Sequence, residues 1–407
     1  MPDRSSPAPS TAAPATRVGR QAIFDRDLQL YGYELLYRGP RESNGDRASS
    51  VTLLDAFLEL GIERVVGPHR AFVNLTQRFF TELPPLPLAS QRVVLEILED
   101  VPVDAALLDG LRVLRARGFQ IALDDYLYEA KWEPVLPLVD IVKVDVPGAG
   151  WAAIEGRSAG LQERGLRLLA EKVETHDDYQ RLHDLGFDYF QGFFFARPHT
   201  VSGRRMPDNH AVLLRLLARI NDPMVSIQEL EALITQDASL SYKVLRFINS
   251  AAVGLPRRVD SIRQAVVYMG LERIRGWASL MALSGVEKRP QEIILIGLVR
   301  AYQCETLLRL RGQGSPEKAY TVGLFSILDA LLDLPMREVV AQLPLPDEVN
   351  AALLEGSGLY GAALACALAL EQGKDPIAPC TGLSADLVAE SYLDSLERAD
   401  EALRALR

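Results

Sequence analysis

Residues 119–125 (FQIALDD), 140–146 (DIVKVDV) and 167–173 (RLLAEKV) are short apolar runs, each carrying charge at or near its end. Between the last two, Trp151–Arg164 has a helical composition. Strands that stay apolar through most of their length, separated by helical segments, predict a parallel sheet covered on both faces. The same rhythm extends outward. Upstream lie VGRQAIFD (18–25), LYGYELLY (30–37), AFVNL (71–75) and RVVLEIL (92–98), and downstream lies YFQGFFF (189–195). Helix-like stretches at Ser50–Val66, Asp104–Arg117 and Asp177–Leu185 separate most of them. Eight strands in about 180 residues predict a compact (β/α)8, TIM-like barrel. Only Arg26–Gln29 joins the first two runs. That is too little chain for a crossover helix, so they are expected to pair as an antiparallel hairpin and give the barrel one antiparallel strand.

Beyond Pro198 the character changes. Residues 201–209 are polar, with Gly203 and Pro207, and read as a linker. From His210 to the end the periodicity is helical. Leu240, Val244, Leu245 and Ile248, for example, recur on one face of Ser239–Ile248. Asp222-Pro223 and residues 252–256 (AVGLP) punctuate the helices. The expected division is a disordered Pro/Ser/Ala/Thr-rich tail at 1–16, a barrel at 17–200, a linker at 201–209 and an all-α domain at 210–407. The fold class is thus α/β plus all-α.

The net charge of −10 argues against broad nucleic-acid binding, which needs a Lys/Arg excess on some face. No apolar run reaches the roughly 20 residues of a membrane helix. Ile293–Val299 and Leu359–Leu370 read as core helix, so no membrane partner is expected and a cytoplasmic location is. Cys304, Cys366 and Cys380 lack metal-type spacing and are expected to be reduced thiols.

Polar residues in the barrel half fall in one kind of place. Glu34 lies in YGYELL, Asn74 follows Phe72-Val73, Glu96 interrupts VVLEIL and Glu99 follows it. Asp124-Asp125 end IAL, Lys143 sits inside DIVKVDV, Glu171 ends RLLA and Gln191 lies in YFQGF. The carboxyl ends of parallel barrel strands converge on one face, and that face carries active sites. A single acid at a strand end is usually a solvated end or a helix cap. A set drawn from seven strands is not, because gathered like charges are costly without a cation. The set is oxygen-rich, and none of the five histidines (His69, His176, His183, His199, His210) sits at a strand end with ligand spacing. Hard oxygen donors favour Mg²⁺, Mn²⁺ or Ca²⁺ over Zn²⁺. One or two such ions beside a lysine suit phosphate-ester hydrolysis. Metal-assisted enolate chemistry on a phosphate-free acid suits a generic barrel of this kind but not the order in which these motifs occur.

The order of these motifs resembles the EAL family of cyclic-di-GMP phosphodiesterases. Glu34-Leu35-Leu36-Tyr37-Arg38 is similar to the EAL signature, with Leu35 in place of Ala. In the family's order follow FVN (Asn74), E-x-x-E (Glu96, Glu99), L-D-D (Asp124, Asp125), V-K-V-D (Lys143, Asp145), A-E-x-V-E-T (Glu171, Glu174) and Q-G-x-x-x-x-R-P (Gln191, Pro198). The resemblance covers about residues 17–200 and implies a barrel that binds cyclic-di-GMP with one or two Mg²⁺ or Mn²⁺ ions. It implies that Glu34, Asn74, Glu96, Asp124 and Glu171 hold metal, with Asp125 serving a second ion. Lys143 would orient the attacking water, Arg38 would clamp a phosphate with its planar fork of donors, Gln191 would complete the pocket floor and Gln21 would touch a guanine edge. Three departures stand out. Tyr126–Trp132 replaces the family's F-G-T-G-x-x-S loop, Leu98 replaces Thr in E-x-T-E, and Lys172 replaces Gly in A-E-G-V-E. In the family that loop couples dimerisation to second-metal binding. Its glycine-free replacement is expected to be stiffer, to pack as a helical turn and to weaken turnover more than binding.

The helical half resembles the HDOD domain between Leu213 and Leu280. Its run is LLARINDP, LITQDASLSYKVLRFINSA and IRQAVVYMGLERIRGWASL, with Asp237, Asn249-Ser250, Ile262, Ala265 and Gly270-Leu271 as recognisable positions. HDOD modules are relatives of HD hydrolases, but an HD site needs imidazole ligands and no histidine follows His210. This half is therefore expected to be an interaction surface for a protein partner. The combination resembles bacterial EAL–HDOD regulators. The expected function is cyclic-di-GMP signalling: binding in the variant barrel and relay through the HDOD domain, with weak or absent hydrolysis. An active metal-dependent phosphodiesterase is the alternative, and a homodimer a further expectation.

Overall fold

The computed structural model describes residues 17–38, 62–82, 89–192, 208–251, 253–286, 290–372, 374 and 382–406. The expected tail at 1–16, residues 50–61 of the first helical stretch, most of the linker and Cys380 lie outside them.

Eight strands close into a barrel in sequence order: β1 (Arg17–Asp25), β2 (Leu30–Arg38), β3 (Arg70–Leu75), β4 (Val93–Ile97), β5 (Gln120–Leu123), β6 (Ile141–Asp145), β7 (Arg167–Val173) and β8 (Tyr189–Gly192). β1 runs antiparallel to both β2 and β8, and every other neighbour pair is parallel. The short Arg26–Gln29 connection makes the expected hairpin, tightened by Asp25, whose carboxylate accepts from Asp27 N and Gln29 N. Side chains alternate across each strand. One face, including Val73, Leu95, Leu123, Val142 and Ala170, packs outward into the large apolar core under the helices. The opposite face forms an inner apolar floor of Ile23, Phe72, Val94, Ala122, Ile141, Leu169 and Tyr189. One residue comes from each strand but β2.

The second half is helical in all its described elements. Its axis is Gln291–Arg311, buried along most of its length and packed against Pro316–Phe325, Gly358–Glu371 and Ala385–Leu406. The crossing with Pro316–Phe325 is close because of Gly323, where a Cβ would lie 2.4 Å from Arg300 O. The HDOD-like positions have local physical roles. Asp237 caps Ala238–Ile248 by accepting from Ser239 N and Leu240 N. Asn249 ties the following loop by exchanging two hydrogen bonds with the Val259 backbone, at 2.7 and 2.8 Å. Gly270 turns the chain at φ +87°, open to glycine without strain.

Three expectations need correction. The helix Asp208–Ile220 starts two residues inside the segment read as linker, a shift within the ordinary fraying of helix ends. Cys304 is buried and free, but Cys366 is disulfide-bonded and not a reduced thiol. Spacing arguments address metal sites and say little about thiols brought together by folding. Finally, Asp347–Glu371 is long and apolar enough by composition to cross a membrane. It is two helices, Asp347–Glu355 and Gly358–Glu371, divided at Gly356 (φ +64°).

Barrel and helices meet on the outer face of β1 and β2. Tyr33 donates to the buried Glu292 carboxylate, and the Arg20 guanidinium lies 4.2 Å from the Tyr33 ring centroid while donating to Val65 O. Arg64 pairs with Glu397 at the edge of the same seam.

Candidate functional site

Two positions along each strand from the apolar floor, toward the carboxyl ends of β3–β8, the inner face turns polar. Phe72 gives way to Asn74, Val94 to Glu96, Ala122 to Asp124, Ile141 to Lys143, Leu169 to Glu171 and Tyr189 to Gln191. In antiparallel β1 the step runs backward, from Ile23 to Gln21, which pairs in register with Glu34 of β2. All eight strands therefore contribute a polar side chain to one layer, directly above a dry one.

Lys143 is fully buried at the centre. Its Nζ lies 2.7 Å from Asp124 Oδ1, 2.8 Å from Glu96 Oε1, 3.0 Å from Glu171 Oε1 and 3.3 Å from Glu34 Oε2. Gln191 Nε2 donates to Glu34 Oε2 at 2.7 Å and to Gln21 Oε1 at 2.8 Å, and Asn74 Nδ2 donates to Glu34 Oε1 at 3.1 Å. One ammonium cannot neutralise four carboxylates, and the proton affinities show it. Burial, opposed by Lys143 but reinforced by Glu34 and Asp124, pushes Glu96 well above the carboxylate range. Burial likewise raises Asp124, and pushes Glu171 up to about 8. Only Glu34 is held below its ordinary value: burial raises it, but Lys143 and the Gln191 and Asn74 hydrogen bonds outweigh that. Burial lowers Lys143, yet the surrounding carboxylates carry it well above the lysine range.

The residues fit a cation. Asn74 Oδ1, Glu96 Oε2, Glu171 Oε2 and Gln191 Oε1 are buried acceptors without a hydrogen-bond partner, which native interiors seldom leave unexplained. Ligand oxygens of Glu34, Glu96 and Asp124 lie within 4.8 Å of one another, a spread that two oxygen–metal bonds of about 2.0–2.6 Å can span. Glu171 and Asn74 flank this trio through Lys143 and Glu34. A second trio, Glu99, Asp124 and Asp125, also lies within 4.8 Å. Asp125 stands at φ +44°, and its Oδ1 is 3.3 Å from the Lys172 ammonium. Arg38 ends β2 four residues beyond Glu34, and its side chain is outside the described residues.

The segment after Asp125 is packed. Tyr126 N donates to Lys143 O at 2.8 Å, Tyr126 and Trp132 are buried, the Tyr126 and Tyr128 rings are 5.1 Å apart, and Ala130–Trp132 forms a single 3-10 turn. Lys131 pairs with Glu129 at 2.7 Å. Of the expected helical turn over Tyr126–Trp132, only Ala130–Trp132 is helical, and residues 126–129 are irregular. Two features went unread in the sequence. One is the Lys172 contact, which also reaches Asp145 Oδ2 at 2.5 Å. The other is the seam at Arg20 and Tyr33, whose only signal was their adjacency to Gln21 and Glu34 on alternating strands.

Fold and site together define an acid-lined (β/α) barrel joined to a helical module. Residues 206–338 match the HDOD domain family. The chain is 35% identical over 375 residues to Cyclic di-GMP phosphodiesterase CdgJ of Vibrio cholerae, covering 89% of this chain and 86% of that one. It is 34% identical over 399 residues to Uncharacterized protein YuxH of Bacillus subtilis, covering 93% of this chain and 97% of that one. Among solved structures, the manganese and cy-diGMP complex of Klebsiella pneumoniae BlrP1 at pH 6 is 22% identical with a TM-score of 0.38. It covers 46% of this chain and 58% of that one, a likeness too distant to argue from. The chain belongs to the EAL–HDOD family, with an EAL-type barrel followed by an HDOD domain.

Proposed function

We propose that this chain binds cyclic-di-GMP over a divalent cation, Mg²⁺ or Mn²⁺, in its barrel and relays the bound state through the HDOD domain to a protein partner, with little or no hydrolysis. The observation that carries the reading is the buried layer of four carboxylates around Lys143, with acceptor lone pairs left over. The named activity of the Vibrio cholerae relative supplies the ligand.

A cation bound there would polarise a phosphoryl oxygen and acidify a water. Glu34, Asn74, Glu96, Asp124 and Glu171 would hold it. Lys143 would hold the attacking water in line and keep the emptied carboxylates from repelling one another. Arg38 would take a phosphate in its fork, and Gln191 and Gln21, hydrogen-bonded to each other, would line the floor. The packed Tyr126–Trp132 segment supports binding without turnover, since it fixes Asp125 in place instead of letting it adapt. The relay has a short path: Glu34 faces the site while Tyr33, its neighbour, holds Glu292 of the helical half. The phosphodiesterase reading is favoured by the complete acid set and by the relative's name.

The test is the full chain with Mn²⁺ or Mg²⁺ and cyclic-di-GMP, binding titrated while linear product is followed over hours. Saturable binding with product forming far more slowly than ligand exchanges is the expected outcome. Vigorous hydrolysis at low metal would establish the phosphodiesterase reading instead, and absence of binding would sink both.

A further inference from the structure

We propose that the Lys172 ammonium holds Asp125 in competition with a second divalent cation, so that this barrel takes one ion although its acids are arranged for two. The inference rests on the reading of the acid layer as a cation site.

Four observations carry it. Two carboxylate trios share Asp124: Glu34/Glu96/Asp124 deep in the barrel and Glu99/Asp124/Asp125 at its rim. Lys172 Nζ lies beside one member of the rim trio, 3.3 Å from Asp125 Oδ1, and binds Asp145 Oδ2, outside the trio, at 2.5 Å. Asp145 is itself anchored, its other oxygen accepting from Gly148 N at 3.0 Å.

Backbone geometry shows that this placement is imposed. Strict alternation would send Lys172 outward, since Glu171 points in. The β7–β8 register shifts between Ala170 and Val173, and a bulge of this kind re-aims a side chain. Lys172 consequently adopts φ +56°, a conformation a residue with a Cβ enters only against steric resistance. Glycine would sit there freely. The side chain is half exposed and pairs with the partly exposed Asp125 and the more buried Asp145, and solvent screening of the lysine keeps the contribution to stability modest. Its effect is local: it occupies an oxygen of Asp125 and sets a positive charge against a carboxylate that a second dication would need.

The experiment counts Mn²⁺ bound to the full-length protein without nucleotide, by electron paramagnetic resonance or calorimetry. Wild type is expected to take one ion. Lys172→Met, which removes the charge but keeps the backbone demand, and Lys172→Gly, which relieves both, are each expected to take two. The second ion should bind at least tenfold more tightly than any second ion on wild type. Lys172→Arg should stay at one, and adding Asp125→Asn to Lys172→Met should return the count to one. Two tight ions on wild type, or one on both Lys172→Met and Lys172→Gly, would overturn the inference and leave the deeper site standing. No ion on any of these proteins would overturn both. A parallel cyclic-di-GMP titration reports on the ligand separately.

Discussion

Tyr33 and Glu34 are consecutive residues of β2 that serve different domains. The Tyr33 hydroxyl lies 2.9 and 3.0 Å from the two carboxylate oxygens of Glu292 in the helical half, while Glu34 Oε2 lies 3.3 Å from Lys143 Nζ inside the barrel. A shift of β2 by a fraction of its pleat moves both contacts together.

Tyr33→Phe removes the donor and leaves the Glu292 carboxylate buried without it. The cost should be roughly 1–3 kcal/mol, seen as a lower unfolding midpoint. Hydrogen exchange at Gln291–Arg311 should quicken even in the nucleotide-bound protein. An unchanged midpoint would mean the contact contributes nothing to holding the domains.

Glu292 gives this seam a pH dependence of definite sign. Burial, opposed by Arg20 and Tyr33, raises its pKa from 4.5 to about 7. Between these values the folded protein holds a proton that the unfolded chain has released, so this group's contribution to stability is present below pH 4.5 and is lost as pH rises to about 7. Denaturant midpoints of wild type and Glu292→Gln, compared from pH 4.5 to 8, should show the wild type losing more stability with rising pH. Parallel profiles would refute the assignment.

The acid layer predicts the opposite trend for metal. Glu171, raised to about 8, and Glu96, raised well above its ordinary range, must lose protons before they can bind an ion. Mn²⁺ affinity should therefore climb from pH 6 to beyond 8, with protons released on binding, which calorimetry in buffers of different ionisation enthalpy would detect. Affinity flat across that range would remove Glu96 and Glu171 from the ligand set.

Lys143→Met deletes the ammonium that sits among four buried carboxylates. Without metal the variant should be destabilised by about 3–5 kcal/mol at pH 8, because breaking a buried pair strands its partners. Mn²⁺ should restore much of the loss, and acidic pH should too. Melting curves with Mn²⁺ and with chelator decide it, and a loss insensitive to both would mark Lys143 as purely structural.

Arg38→Lys keeps the charge but cannot make a bidentate phosphate contact. Cyclic-di-GMP affinity should fall about tenfold or more, with Mn²⁺ affinity unaltered. Equal nucleotide affinity would place the phosphates elsewhere.

What could be read from the residues follows from period. The barrel was legible because its strands are apolar runs, and the polar layer because a Glu or Lys inside such a run has nowhere dry to go. The hairpin was legible because four residues cannot cross a sheet. Lys172 was not, since strict alternation points it outward and a bulge leaves no compositional mark. Tyr33 and Arg20 looked like any outer barrel residue until the helices covered them. Glu292, in the first turn of a helix that carries other charges at Arg300, Glu305, Arg309 and Arg311, could as well have faced solvent. The Cys366 disulfide belongs with these: each depends on which surfaces folding brings together.

β1 has one further consequence, for the order in which the molecule is built. It completes the barrel by pairing with β8, joining Gln21 to Gln191 across 170 positions. Its outer face is covered by Gly358–Glu371 and Ala385–Leu406, near the far end of the chain. During synthesis the β1–β2 hairpin emerges well before its partners: it keeps a bare edge until β8 appears and a partly bare face until Ala385–Leu406 does. Closure that spans such separations is slow, and open strand edges are where nascent chains associate wrongly. A stop codon ahead of Ala385 would accordingly do more than remove a helix. It would leave β1 covered by Gly358–Glu371 alone, with the rest of its outer face open.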